Sequence, residues 1–92
     1  MKGLRDKVAV ITGGGGGIGA AICRRFGEEG TAVAVLDLNG KAAEEVAGEI
    51  RAAGGKAKAY PVDLTVQEQV QATVAAVEND LGPIDILVNN AG

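Results

Sequence analysis

Short apolar runs alternate with amphipathic stretches along the chain. Val8-Ala9-Val10-Ile11 is continuously apolar and precedes a cluster of glycines. Such a run predicts a strand buried on both faces, as in a parallel sheet. From Ile18 the spacing changes. Ile18, Ile22 and Phe26 recur at i, i+4 and i+8 with Ala21 beside them, which predicts a helix with that face inward. The helix should stop near Gly27 to Gly30, where Gly30 suits the C′ position. Ala32–Leu36 predicts a second buried strand, ending at Asp37. Asn39 is placed to cap a helix over about Lys41 to Ala53, with Val46, Ile50 and Ala53 as its apolar stripe and Gly54-Gly55 as its stop. Lys56–Val62 predicts a third strand, less apolar than the others. Thr65-Val66-Gln67-Glu68 matches a capping box, and Val66, Val70, Val74, Val77 and Leu81 form one helical stripe after it. Gly82-Pro83 ends that helix, and Ile84–Val88 predicts a fourth strand.

The predicted order is β-α-β-α-β-α-β. Helical crossovers between short apolar strands imply a parallel sheet with right-handed connections. The alternation makes the class α/β; the fold expected is a Rossmann-type doubly wound sheet, its first four strands in the order 3-2-1-4. No linker or domain boundary interrupts residues 1–92, which read as one partial dinucleotide-binding domain. Ile84, Ile86, Leu87 and Val88 would leave an apolar edge that invites pairing with another chain.

Composition narrows the chemistry. Apolar residues make up 47% of 92 residues, and one Phe, one Tyr and no Trp are present. Val, Ile, Leu and Ala must build the core. There is no histidine, which removes a Ser-His-Asp triad, a His base and most zinc sites; no metal site is expected. A net charge of −3 argues against a nucleic-acid surface. The first residues lead straight into a strand without the apolar core of a signal peptide. No run reaches the ~18 apolar residues of a membrane span. One cysteine, Cys23, cannot form an intrachain disulfide, so the expected compartment is the reducing cytoplasm. On its helix Cys23 reads as a packing residue.

The richest signal is Thr12-Gly13-Gly14-Gly15-Gly16-Gly17-Ile18-Gly19, between the first strand and the first helix. A pyrophosphate needs close backbone approach, free N–H groups and the positive end of a helix dipole. Gly13 permits the tight turn and Gly19 lets the helix press on the sheet. A poly-Gly run fits several registers, among them Gly14, Gly16 and Gly19, and could also be a flexible linker. The strand before it and the helix after it favour the phosphate turn. No Gly-Lys-Ser/Thr follows, which argues against a P-loop. Asp37 lies 18 residues after Gly19, where a carboxylate would accept from both ribose hydroxyls of NAD and repel the 2′-phosphate of NADP. The alternative is an ordinary strand-end Asp before Asn39-Gly40.

At these residues the chain resembles the N-terminal part of the short-chain dehydrogenases/reductases. The matching motifs are Thr12-Gly13-x-x-x-Gly17-Ile18-Gly19, the Asp37 strand end, Asp63-Leu64 and Asn89-Asn90-Ala91-Gly92. The resemblance implies that Gly13, Gly16, Gly17, Ile18 and Gly19 hold the pyrophosphate, with the Ile18 N–H on a phosphate. It implies that Asp37 and Leu38 meet the adenosine ribose side, Asp63 and Leu64 the adenine, and Asn90, Ala91 and Gly92 the ribose and the path toward the nicotinamide. Asn89 is implied to tie the fourth strand to its neighbours, and Asp63 has the alternative role of introducing the Thr65 cap. NADP-dependent members often carry Arg or Lys where this chain has neutral Gly16, so the implied cofactor is NAD.

The family's catalytic Tyr, Lys, Ser and Asn lie beyond the Asn-Asn-Ala-Gly motif. Tyr60 has no Lys four residues later. The 92 residues are thus expected to be a cofactor half, inactive alone, of an enzyme that moves hydride between an alcohol or ketone and NAD. The Leu36-Asp37-Leu38-Asn39 strand end resembles members acting on hydroxyacyl-CoA or 3-oxoacyl thioesters. The alternative is a non-catalytic nucleotide-binding module. The resemblance also implies a homo-oligomer.

Overall fold

The computed structural model describes residues 2–91. Four parallel strands, β1 (Val8–Thr12), β2 (Ala32–Asp37), β3 (Lys56–Pro61) and β4 (Ile86–Asn89), alternate with helices α1 (Gly17–Glu28), α2 (Gly40–Ala52) and α3 (Gln67–Asp80). The strand order is β3-β2-β1-β4, as expected. β1 pairs β2 from Val8 opposite Ala32 to Thr12 opposite Leu36, and pairs β4 from Ala9 opposite Ile86 to Thr12 opposite Asn89. All five residues of β1 are buried, because helices cover both faces of a central parallel strand.

Alternation along the strands sorts the core into two layers. Ala9, Ile11, Val33, Val35 and Ala57 face α1 and α2, while Val8, Val10, Ala34, Leu36 and Tyr60 face α3. The α2 layer is built by Ala43, Val46, Ala47 and Ile50; Ala53, expected in that stripe, is the exposed C-cap. Asn39 caps α2 as expected, its side chain accepting from the Ala42 N–H at 3.1 Å.

Three expectations need correction. The inward face of α1 is Gly19, Ala20 and Cys23, with Ile18 74% exposed and Ile22 and Phe26 only partly covered. Small residues take the sheet side because the helix approaches closely; the larger apolar face lines an open groove with Leu4 and Arg25. On α3 only Val77 of the predicted stripe is buried, and Val66 and Val74 stay exposed, since among the described residues no second helix packs beside it on that side of the sheet. The capping box at Thr65 does not form: α3 starts after Val66 with no side-chain cap, and Thr65 turns back to Asp63 instead.

Smaller shifts occur at the ends. The chain opens with a 3-10 turn at Lys2–Leu4 rather than running straight into β1, tied down by the Thr31 hydroxyl donating to the Leu4 carbonyl at 2.8 Å. β4 begins at Ile86 rather than Ile84. Asp85 replaces a ladder partner there: its carboxylate accepts from the Val8 N–H at 2.9 Å, and its own N–H donates to the Val8 carbonyl at 2.9 Å. β4 is an edge strand among the described residues, with Leu87 67% exposed. No helix among the described residues is long and apolar enough to cross a membrane.

Candidate cofactor-binding site

The predicted site residues converge on the carboxyl end of the sheet, where the strand order reverses between β1 and β4, the usual crevice of an open α/β sheet. The glycine turn joins β1 to α1. Gly13 sits at φ +66°, a left-handed conformation that favours glycine. Gly16 is the N-cap of α1 and supplies no side-chain acceptor, so the first-turn N–H groups of Gly17, Ile18 and Gly19 keep no helical or side-chain partner. A Cβ added at Gly16 or Gly17 would meet nothing within 4 Å, which marks the open side of the turn. The turn thus offers a cradle of free N–H groups at a helix N-terminus, a fit to a pyrophosphate.

The other glycines face inward, each against a different neighbour. A Cβ on Gly19 would overlap the Gly13 carbonyl oxygen and lie 2.7 Å from Asn90 Nδ2. Gly19 therefore lets the first turn of α1 close onto the chain just past β1 and β4. Gly14 adds to this close approach, since a Cβ there would lie 2.9 Å from both Cys23 Sγ and Val35 Cγ1. Gly15 packs on the start of α2: its Cβ would lie 2.8 Å from Asp37 Oδ2 and 3.0 Å from the Ala43 nitrogen. Gly15 was not singled out from the sequence, and Gly14 entered only as part of one of several possible registers. A run of identical residues carries no mark of which one meets which neighbour.

Asp37 ends β2 half-buried. Its two carboxylate oxygens are held separately: Oδ2 accepts from the Gly15 N–H at 2.9 Å and Oδ1 from the Asn39 N–H at 2.9 Å. Leu38 beside it is 74% exposed, and Leu64 after β3 is 39% exposed. Exposed leucines at the mouth of the sheet are costly to leave in water and are suited to an adenine face. Asp63 is engaged locally. Its Oδ1 accepts from both the N–H and the hydroxyl of Thr65, at 3.0 and 2.6 Å, and these bonds hold its carboxyl below the usual range. The Asp63 N–H donates to Gln69 Oε1 at 2.9 Å.

β4 closes the other side. The Thr12 hydroxyl, 6% exposed, faces the Val88 carbonyl at 3.3 Å and Asn89 Oδ1 at 3.2 Å, and accepts from the Ala91 N–H at 3.1 Å. Asn89 thus ties β4 to β1, as the resemblance implied. Asn90 donates from Nδ2 to the Gly13 carbonyl at 3.3 Å and braces the glycine turn. Ala91 lies beside Gly13, whose added Cβ would come within 3.1 Å of the Ala91 Cβ. Gly92 lies outside the described residues. Thr12 belongs with the site, and its place in the Thr-Gly motif was the available signal.

Tyr60 has no place in proton transfer. Its hydroxyl donates to Asp80 Oδ2 at 2.9 Å on the α3 side, and burial followed by that carboxylate pushes its pKa up from the ordinary 10.0. Cys23 is fully buried, and burial pushes its thiol up to about 12, so it packs rather than reacts. Among the described residues no group of three His, Cys, Asp or Glu could hold a metal ion.

Known proteins share this arrangement. The family model described as short chain dehydrogenase matches residues 7–92. An uncharacterized oxidoreductase of Bacillus subtilis, YuxG, is 53% identical over 88 residues, covering 94% of this chain and 13% of that protein. The structure of NAD+-bound xylitol dehydrogenase superposes with a TM-score of 0.92 at 46% identity, over 97% of this chain and 34% of that one. A metagenomic short-chain oxidoreductase in complex with NADP superposes with a TM-score of 0.90 at 40% identity, over 96% of this chain and 40% of that one. The chain spans between 13% and 40% of the length of these relatives.

Proposed function

Because the chain belongs to the short-chain dehydrogenase family, we propose that residues 1–92 form the cofactor-binding part of an oxidoreductase that moves hydride between an alcohol or ketone and NAD. Bound NAD would supply the hydride acceptor or donor. This chain's own residues bind and orient it. Gly16, Gly17, Ile18 and Gly19 present N–H groups to the pyrophosphate. Gly13 shapes the turn, and Asp37 accepts from the adenosine ribose. Leu38, Asp63 and Leu64 bound the adenine, and Asn90, Ala91 and Gly92 line the path to the nicotinamide. The groups that would act on the alcohol or ketone belong to the remaining length that the relatives have. A cytoplasmic homo-oligomer is part of the same proposal.

The observation that carries NAD over NADP is Asp37, fixed at the end of β2 with no Arg or Lys at Gly16 to offset it. A 2′-phosphate about 4 Å from that carboxylate would cost roughly 1 to 4 kcal/mol per unit charge pair. That corresponds to about fivefold to several hundredfold in affinity. Calorimetric titration with NAD and NADP, on the chain and on Asp37→Ala, tests it, with circular dichroism to check folding. NAD preference that relaxes in Asp37→Ala is expected. Equal affinity of the unmutated chain for both cofactors overturns the NAD assignment.

A further inference from the structure

The Asp37 carboxylate is held by one backbone N–H on each oxygen, Gly15 on Oδ2 and Asn39 on Oδ1, both at 2.9 Å. A carboxylate has about four lone-pair sites, two per oxygen. One site on each oxygen is therefore filled and one is left, a pair of acceptors that matches the two hydroxyls of a vicinal diol. The same arrangement consumes the donors that a 2′-phosphate would need. The Gly15 N–H comes from the phosphate turn and the Asn39 N–H from the residue that caps α2, so the carboxylate bridges two separate segments.

We infer that Gly15 is a specificity-determining position: its N–H fixes Asp37, and its missing Cβ lets the glycine turn close onto α2, so that this site accepts an unphosphorylated ribose diol and rejects a phosphorylated one. This rests on the NAD reading above and deepens it. A Cβ at Gly15 would lie 2.8 Å from Asp37 Oδ2, 3.0 Å from the Ala42 Cβ and 3.0 Å from the Ala43 nitrogen. Two of those three neighbours belong to the first turn of α2 and cannot yield without moving the helix. The shortest contact is with the free end of the Asp37 side chain, which is displaced. The two contacts at 3.0 Å draw the turn back from α2 by a few tenths of an ångström and lengthen the bond from Gly15 to Asp37. Asp37 Oδ2 leaves the Gly15 N–H, the two-acceptor geometry is lost, and an N–H becomes available to a phosphate oxygen. Gly15 thus acts through Asp37 as a positioning residue, and its signature is the ratio of the two cofactor affinities rather than either affinity alone.

The test is titration of the chain, Gly15→Ala, Asp37→Ala and the double variant with NAD and with NADP. Gly48→Ala serves as a control on the outer part of α2, where a Cβ meets only side-chain ends at 3.9 Å. Loss of one charge-assisted hydrogen bond predicts that Gly15→Ala lowers the NAD:NADP affinity ratio about tenfold. Gly48→Ala should leave the ratio unchanged. In the Asp37→Ala background, Gly15→Ala should change the ratio no further. An unchanged ratio in folded Gly15→Ala overturns the inference while leaving the NAD reading standing. A lack of NAD preference in the unmutated chain overturns that reading itself. Should Gly15→Ala fail to fold, amide hydrogen exchange decides: the Gly15 N–H should lose protection in Asp37→Ala, and unchanged protection overturns the inference.

Discussion

Replacing Thr12 by Val should loosen the carboxyl end of β4 while leaving the strand intact. Valine keeps the β-branched shape that β1 wants, and removes only the hydroxyl. That hydroxyl is buried, with 6% exposure, and has a single proton to share between the Val88 carbonyl at 3.3 Å and Asn89 Oδ1 at 3.2 Å. It also accepts from the Ala91 N–H at 3.1 Å. The net count is therefore one bond donated and one accepted. Asn89 and Ala91 are exposed and can turn to water, so the unsatisfied-group penalty is small. At about 0.5–1.5 kcal/mol per bond, Thr12→Val should cost roughly 1–3 kcal/mol. For a domain of this size that lowers Tm by roughly 5–20 °C. Thr12→Ser keeps the hydroxyl and loses one methyl, costing about 1 kcal/mol. Thermal unfolding measures both, and amide exchange separates them. The Ala91 amide should exchange faster in Thr12→Val and hardly change in Thr12→Ser. A Tm within about 2 °C of the unmutated chain, well short of that shift, would refute the role given to the hydroxyl.

Two further outcomes follow from burial and backbone. Gly48 lies inside α2 in helical conformation with only side-chain ends 3.9 Å from the place of its missing Cβ, so Gly48→Ala should stabilise by about 1 kcal/mol, read as a rise in the urea midpoint; a fall in the midpoint would contradict the packing described. Burial pushes the Cys23 thiol up to about 12, whereas an unfolded thiol ionises near 8.5. Below about 8.5 both states keep the proton and stability does not depend on this group. Above that pH the unfolded chain releases it first, so stability falls until the folded thiol ionises too. Urea midpoints between pH 8 and 10.5 should fall more steeply for the unmutated chain than for Cys23→Ala, and parallel slopes would rule the effect out.

The order of elements was legible because each crossover is a complete local statement: an apolar strand, a helix period, a glycine stop. Gly30, Gly54 and Gly82 all take positive φ after the helices they follow. The errors have local physical sources. On α1 two faces are apolar, and a sequence period cannot say which one meets the sheet. Gly19, Ala20 and Cys23 won because a helix leaving a tight turn lies too near the sheet for Ile18 to fit between, while Ile22 and Phe26 reach the core only from its margin. On α3 the stripe was real but had little to pack against among the described residues. At Thr65 a capping box needs the hydroxyl to accept from the Glu68 N–H and the Thr65 N–H to donate to the Glu68 carboxylate; here the Thr65 N–H and hydroxyl both donate to Asp63 Oδ1, at 3.0 and 2.6 Å.

The glycine run shows the same limit in a sharper form. Five consecutive glycines have more backbone freedom to lose on folding than any other five residues. Left to itself such a segment is a linker, and the sequence alone could not remove that alternative. It is ordered here from outside, by the ends of the three strands around it. The Gly14 N–H donates to the Leu36 carbonyl at 3.0 Å, and the Gly15 N–H donates to Asp37, both on β2. Asn90, just past β4, donates to the Gly13 carbonyl, and Thr12, at the end of β1, holds Ala91 beside it. These bonds offset the entropy lost in the turn, and they leave the outward N–H groups of Gly17 and Ile18 without partners of their own. The cradle is thus preorganised by residues that need never touch a phosphate. Cofactor affinity should accordingly track the stability of the β4 end, and Thr12→Val should weaken NAD binding although the Thr12 hydroxyl is buried against that end.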